Sequence, residues 1–228
     1  MTCALTINDI LEPMKRIFTI LLIYLSIPVI AQELPFWKEI KDFKTADSLH
    51  APPENAILFV GSSSFRMWHD LNKSFPGYTL INRGFGGSSL PHVIQYAEEI
   101  IIPYKPKQVV VYAGENDFMN DSVTGKIVAD RFENLFKLIR EHMPQVDIAF
   151  VSIKPSPSRQ HLMLKMAEAN ALIKDFLKTK RRTAFVNIWD QMLDEQGNPR
   201  KELFLQDMLH MNEHGYAIWQ KALKPYLK

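Results

Sequence analysis

Cysteine is almost missing from this chain: Cys3 is alone among 228 residues. No disulfide can therefore form within the chain, and no cysteine-based zinc site can be built. An excess of charge is missing too. Lys and Arg number 27 against 25 Asp and Glu, a formal net charge of +2. Both signs are scattered, and no basic block is interleaved with aromatics, so no nucleic-acid partner is expected. There is no internal repeat and no low-complexity tract. The apolar run Ile17 to Ile30 falls short of the roughly 20 residues that a spanning helix needs.

That run has a different meaning in its context. Lys15 and Arg16 precede it, and Val29-Ile30-Ala31 closes it before Gln32. A cationic start, a short apolar core and a small-residue end make a secretory signal, with cleavage after Ala31. Residues 1–31 are therefore expected to be removed, leaving residues 32–228 as a single exported domain, secreted or periplasmic, without a stable membrane span. Met14 stands directly before Lys15, so residues 1–13 are readable as an upstream extension. Export without disulfides is no contradiction, because a domain of this size can be stabilised by its core alone. Hydrophobic residues make up 46% of the chain, enough for such a core.

Beyond residue 56 a rhythm begins. Short apolar runs at 57–60, 78–81, 108–113, 147–153 and 183–188 read as strands buried on both faces. Helical spacing separates them at 65–72, 89–101, 123–142 and 158–179, with a last helix at 212–224 and a short amphipathic one at 36–40. On the long helix, Ile127, Phe132, Leu135, Phe136 and Ile139 form the expected apolar stripe. Strands alternating with helices predict a parallel sheet covered on both faces, an α/β protein with a three-layer α/β/α sandwich.

In such a sheet, ligands bind beyond the carboxyl ends of the strands. After the first strand comes Gly61-Ser62-Ser63-Ser64; after the second, Asn82-Arg83-Gly84-Phe85-Gly86-Gly87-Ser88. After the third comes Gly114-Glu115-Asn116-Asp117, and beyond the fifth Asp207-Met208-Leu209-His210. These are the parts of an acyl-transfer site. A serine becomes a nucleophile when a base takes its proton. His210 can be that base if a carboxylate fixes its tautomer, and Asp207 lies three residues earlier. A tetrahedral intermediate needs hydrogen-bond donors, which the Gly87 N–H and the Asn116 amide can supply.

Other readings of these segments fit less well. Gly84 to Gly87 follows the second strand, and Ser89 replaces the third glycine of a dinucleotide fingerprint. His210-Met211-Asn212-Glu213-His214 matches an inverted zinc-protease pattern formally, but that site needs a further ligand. The elbow G-x-S-x-G of α/β-hydrolases ends here in Phe65, and its nucleophile follows several strands rather than the first. Arg66, Trp68, Arg83, Tyr112 and Glu115 flank the rim, and Lys154-Pro155-Ser156-Pro157-Ser158 is placed to form a pocket wall.

The four segments, in this order and spacing, resemble the sequence blocks of the GDSL/SGNH hydrolases. The resemblance spans residues 55–225, and the Gly-Phe-Gly-Gly block is most similar to the platelet-activating-factor acetylhydrolase-like branch. It implies a flavodoxin-like sheet of five parallel strands. It also implies Ser63 as nucleophile, chosen over Ser62 and Ser64 by aligning Gly61 with the motif's glycine. Asp207 and His210 complete the triad, and Ser63, Gly87 and Asn116 form the oxyanion hole. Ser62 and Ser88 stand where the family carries aspartates thought to tie loops together. The expected activity is hydrolysis of short carboxylic esters through an acyl-serine, without metal or cofactor, on a small-molecule or carbohydrate ester. A lysophospholipase or thioesterase, an O-acetyltransferase, and a silent carbohydrate-binding domain are the rival readings.

Overall fold

Five strands, β1 (Ile57–Gly61), β2 (Leu80–Gly84), β3 (Gln108–Tyr112), β4 (Asp147–Val151) and β5 (Thr183–Val186), pair in parallel in the order β2-β1-β3-β4-β5. The structure, a computed structural model, describes residues 34–228. The signal sequence expected over 1–31 and the possible extension over 1–13 lie outside the described residues. Every residue of β1 and of β3 is buried, as a sheet covered on both faces requires.

Alternation along the strands sorts the core into two layers. Leu58, Val60, Val109, Val111, Ile148 and Phe150 face one apolar cluster. Covering that face are α1 (Trp37–Leu49), α4 (Leu90–Gln95), α5 (Ala97–Ile100), α6 (Gly125–His142) and α7 (Met163–Lys178). Ile57, Phe59, Val110, Ala149, Val151 and Val186 face the other cluster. There they meet α2 (Ser63–Arg66), α3 (Leu71–Ser74) and α8 (Glu213–Leu223), chiefly through Phe65, Leu71, Trp219 and Leu223. This is the three-layer sandwich expected from the alternation, with the five parallel strands that the family resemblance implies.

Several boundaries differ, for local reasons. The first helix extends to Leu49, where Asp47 accepts hydrogen bonds from Arg83 and from the Tyr104 hydroxyl. Strand β2 lies later than the apolar run at 78–81 and carries Asn82 and Arg83. Asn82 reaches across to the Phe65 carbonyl at 2.7 Å, which compensates a polar residue within the sheet. The helix read over 89–101 is two, broken at Tyr96 with its φ of −105° and ψ of 13°. On α6, Ile127 is 37% exposed and Val128 is buried in its place. Val128 lies four residues before Phe132 and so shares its face, whereas Ile127 at five does not. Among the described residues, no helix is long and apolar enough to cross a membrane.

Candidate active site

The first strand ends at a position that admits only glycine. Gly61 has a φ of 141°, and a Cβ there would lie 1.8 Å from the Tyr112 carbonyl oxygen. The chain turns at once into α2, whose first residue is Ser63. The Ser62 N–H donates to the Tyr112 carbonyl at 2.9 Å, pinning the turn to β3. Ser62 and Ser64 are 2% exposed, while Ser63 is partly exposed. The Ser63 N–H, at a helix start, has no carbonyl of a preceding turn to meet.

His210 arrives from the other end of the chain. Phe204 and Met211 form an isolated bridge, and the Leu205 N–H donates to the His210 carbonyl at 2.8 Å. Between them the loop turns through Met208, whose φ is 54°. The Asp207 carboxylate organises this turn. Its Oδ1 accepts from the backbone N–H groups of Leu209 and His210, both at 2.9 Å. Its Oδ2 meets His210 Nδ1 at 2.6 Å. A carboxylate can only accept, so Nδ1 carries the proton and a neutral ring leaves Nε2 as acceptor. Nε2 stands 3.0 Å from Ser63 Oγ. Burial acts to raise the Asp207 pKa, but its bonds to the His210 ring and to the two N–H groups outweigh this and hold it at about 2.

A second arm of the rim comes from β2 and β3. Gly87 is exposed and has a φ of 76°, a conformation that glycine enters without steric cost. Asn116 Nδ2 donates to the Ser88 carbonyl at 2.9 Å, which ties the third-strand loop to the Gly87 loop. The structure thus joins Ser63, Asp207 and His210 in one chain of hydrogen bonds and joins Asn116 to the residue after Gly87. Two other groups tie the loops at Ser88 and beyond. The Ser88 hydroxyl lies 3.1 Å from the Gly61 carbonyl and 3.0 Å from that of Phe85. The buried Asp117 carboxylate accepts from the Leu90 N–H at 2.9 Å and from Arg131 at 2.7 Å.

Sequence reasoning left three neighbours of the site, Glu115, Lys154 and Arg159, without a role. Lys154 and Glu115 form a buried ion pair at 2.7 Å, with side chains 1% and 5% exposed. The Tyr112 hydroxyl donates to the same carboxylate at 2.8 Å. Burial first, and then the Glu115 charge, push the Tyr112 pKa well up, so it remains a donor. Arg159 donates from Nη2 to Asn116 Oδ1 at 2.9 Å. The only sequence signal for it was its place just beyond the segment Lys154 to Ser158, which was read as a pocket wall.

Among the described residues, no group of three or more His, Cys, Asp or Glu side chains could hold a metal ion. In the H-x-x-E-H segment, both ring nitrogens of His210 are engaged by Asp207 and Ser63. His214 is exposed in the first turn of α8, its N–H capped by the Asn212 side chain. A cavity of about 410 Å³ lies between α8 and the segment 67–74, lined by Trp68, His69, Leu205, Glu213 and Tyr216 among others.

Comparison with known proteins places the fold and the family. Among solved structures, a Streptococcus pneumonia protein named for platelet activating factor is 23% identical with a TM-score of 0.73, covering 84% of this chain and 92% of its own. A GDSL-like lipase from Bacteroides thetaiotaomicron is 21% identical with a TM-score of 0.70, covering 82% and 95%. An acetyl-xylooligosaccharide esterase from Geobacillus Stearmophilus, in mutant form, is 16% identical with a TM-score of 0.61, covering 75% and 93%. At these identities the likeness is one of fold. No curated protein matches the chain. Residues 48–218 match the family of GDSL-like lipases and acylhydrolases, and the match includes every residue of the site. The chain therefore belongs to the GDSL-like lipase/acylhydrolase family and is a serine hydrolase acting on ester bonds.

Proposed function

We propose that Ser63 is the nucleophile, His210 its general base, and Asp207 the carboxylate that orients and stabilises the imidazolium. The observation that carries this reading is the continuous path from Asp207 Oδ2 through His210 to Ser63 Oγ, with steps of 2.6 and 3.0 Å. Both lie within the reach required for proton transfer. As Oγ attacks the ester carbonyl, its proton passes to Nε2, and the imidazolium then protonates the departing alkoxide. Water repeats the sequence on the acyl-Ser63 intermediate and releases the acid. The Ser63 N–H, the Gly87 N–H and the Asn116 Nδ2 are the donors for the oxyanion in both steps.

The proposed substrate is a short-chain ester, acetyl above all, on a small molecule or a carbohydrate. The family favours an acyl ester, and the fold is shared with an esterase of acetylated xylooligosaccharides. Export, argued from the Lys15-to-Ala31 signal, would bring the enzyme to extracellular or periplasmic material. One observation favours a longer acyl chain: Leu205 and Met208, near Asp207 in sequence, are 41% and 36% exposed. A series of 4-nitrophenyl esters from acetate to octanoate, assayed on the protein and on Ser63→Ala, tests both points. Acetate is expected to be preferred and the variant inert. Equal activity in the variant would remove the nucleophile assignment, and preference for octanoate would move the substrate class to lipid-like esters.

A further inference from the structure

Behind Asn116 lies a charged cluster that acyl transfer at Ser63 does not itself require. Lys154 Nζ donates to both oxygens of Glu115, at 2.8 and 2.7 Å. The Tyr112 hydroxyl adds a third bond at 2.8 Å, and the Ser156 hydroxyl approaches at 3.5 Å. Arg159, with its side chain 12% exposed, completes the group. Its Nη1 is 3.8 Å from Glu115 Oε1 and is buried without a hydrogen-bond partner among the described residues. Its Nη2 donates to Asn116 Oδ1 at 2.9 Å. Lys154 and Arg159 thus both face the Glu115 carboxylate, and Arg159 extends from it to the Asn116 amide. Buried ion pairs seldom stabilise a fold more than apolar residues of similar volume, so stability alone does not explain the cluster.

The chemistry of the Asn116 partners explains it better. The two ends of a side-chain amide are nearly equal in shape and opposite in hydrogen bonding. Arg159 can only donate, and the Ser88 carbonyl can only accept. Rotating the amide by a half turn would set donor against donor and acceptor against acceptor. The pair of partners therefore keys the amide in one orientation. Nδ2 faces the Gly87 loop, and its second hydrogen is left for a ligand.

We propose that Arg159, held by the Lys154–Glu115 pair, is the positioning residue of the oxyanion hole. It acts through Asn116, by fixing the amide orientation and by polarising its N–H toward the oxyanion. Polarisation of this kind strengthens hydrogen bonds in a chain, and most so at low local dielectric. The proposal rests on the reading of Asn116 as an oxyanion donor.

Kinetics with 4-nitrophenyl acetate test it. Arg159→Met is expected to lower kcat by about 10- to 100-fold with KM nearly unchanged, less than the about 100- to 1000-fold loss on removing a donor outright. Arg159→Lys, which keeps the charge and one donor, should recover part of the loss. It also carries the test if the methionine variant does not fold. In an Asn116→Ala background, Arg159→Met should cost nothing further, because the two act as one unit. A wild-type kcat in Arg159→Met, or losses that multiply in the double variant, would overturn the proposal. The side-chain amide resonances of Asn116 give a readout independent of turnover. They should shift in Arg159→Met and not in Ser63→Ala, and unchanged resonances would contradict the positioning role. Absence of esterase activity in the wild type would instead sink the functional reading.

Discussion

Asp207 and Glu115 are both carboxylates of the rim, and the molecule holds them in opposite ways. Asp207 is 47% exposed in its side chain and is fixed by a single turn of chain, three residues from the histidine it serves. Glu115 is 5% exposed and is fixed by residues from two segments, Tyr112 in β3 and Lys154 with Ser156 beyond β4. The first arrangement leaves His210 accessible at the substrate-facing surface. The second is buried behind Asn116. Exposed charges are screened and contribute little to stability, whereas a buried charge that loses its partner is costly. On the proposed mechanism the exposed carboxylate takes part in the reaction, while the buried one supports Asn116 from behind.

This contrast can be broken by experiment. The largest effect belongs to the exposed triad: Ser63→Ala should lower turnover by about four to six orders of magnitude, with the thermal midpoint almost unmoved. A matching fall in midpoint would mean that the triad also supports the fold. Next comes the buried cluster, where Lys154→Met removes the close partner of Glu115 and leaves Arg159, 3.8 Å away, as its counter-charge. Urea unfolding should register a loss of about 3 to 5 kcal/mol, and a loss below about 1 kcal/mol would erase the contrast.

Asn116→Ala, in front of the buried cluster, should lower kcat by about 100- to 1000-fold; stopped-flow or steady-state assays at saturating ester would read it. The smallest effect is the stability contribution of Asp207. Its folded pKa of about 2 lies below the unfolded value, which is about 3.9. The stabilisation is therefore present above about pH 4 and is lost as pH falls through about 2. Because the group is so exposed, Asp207→Asn should cost less than about 1 kcal/mol near neutrality. The difference from wild type should shrink in melts toward pH 2, and a difference that grows on acidification would reverse the sign of the argument.

Much of this was legible in the sequence. Val109-Val110-Val111 reads as a doubly buried strand because nothing else hides three consecutive β-branched residues, and all three are fully buried. The site segments were legible because Gly, Ser and Asn follow strands where chemistry sits in such a sheet, and Asp207 and His210 lie three residues apart beyond the last strand. What escaped is what depends on tertiary partners. Asn82 and Arg83 look like loop residues until the Phe65 carbonyl and Asp47 are placed beside them. Glu115 and Lys154 are separated by 39 positions, and their places at the rim and in a pocket wall do not reveal that they pair. Arg159 falls in the helix read over 158–179, but that helix begins at Met163 and Arg159 lies in the 3-10 segment before it, where its contact with Asn116 depends on a tertiary partner.

The central claim is that Ser63, rather than its neighbours Ser62 or Ser64, is the reacting group. Treatment of the purified protein with a fluorophosphonate, followed by mass mapping of the peptide carrying residues 61–66, measures it directly. One adduct on Ser63 that disappears in His210→Ala is the predicted result. An adduct on Ser62 or Ser64, or labelling of Ser63 that survives loss of His210, would contradict the account.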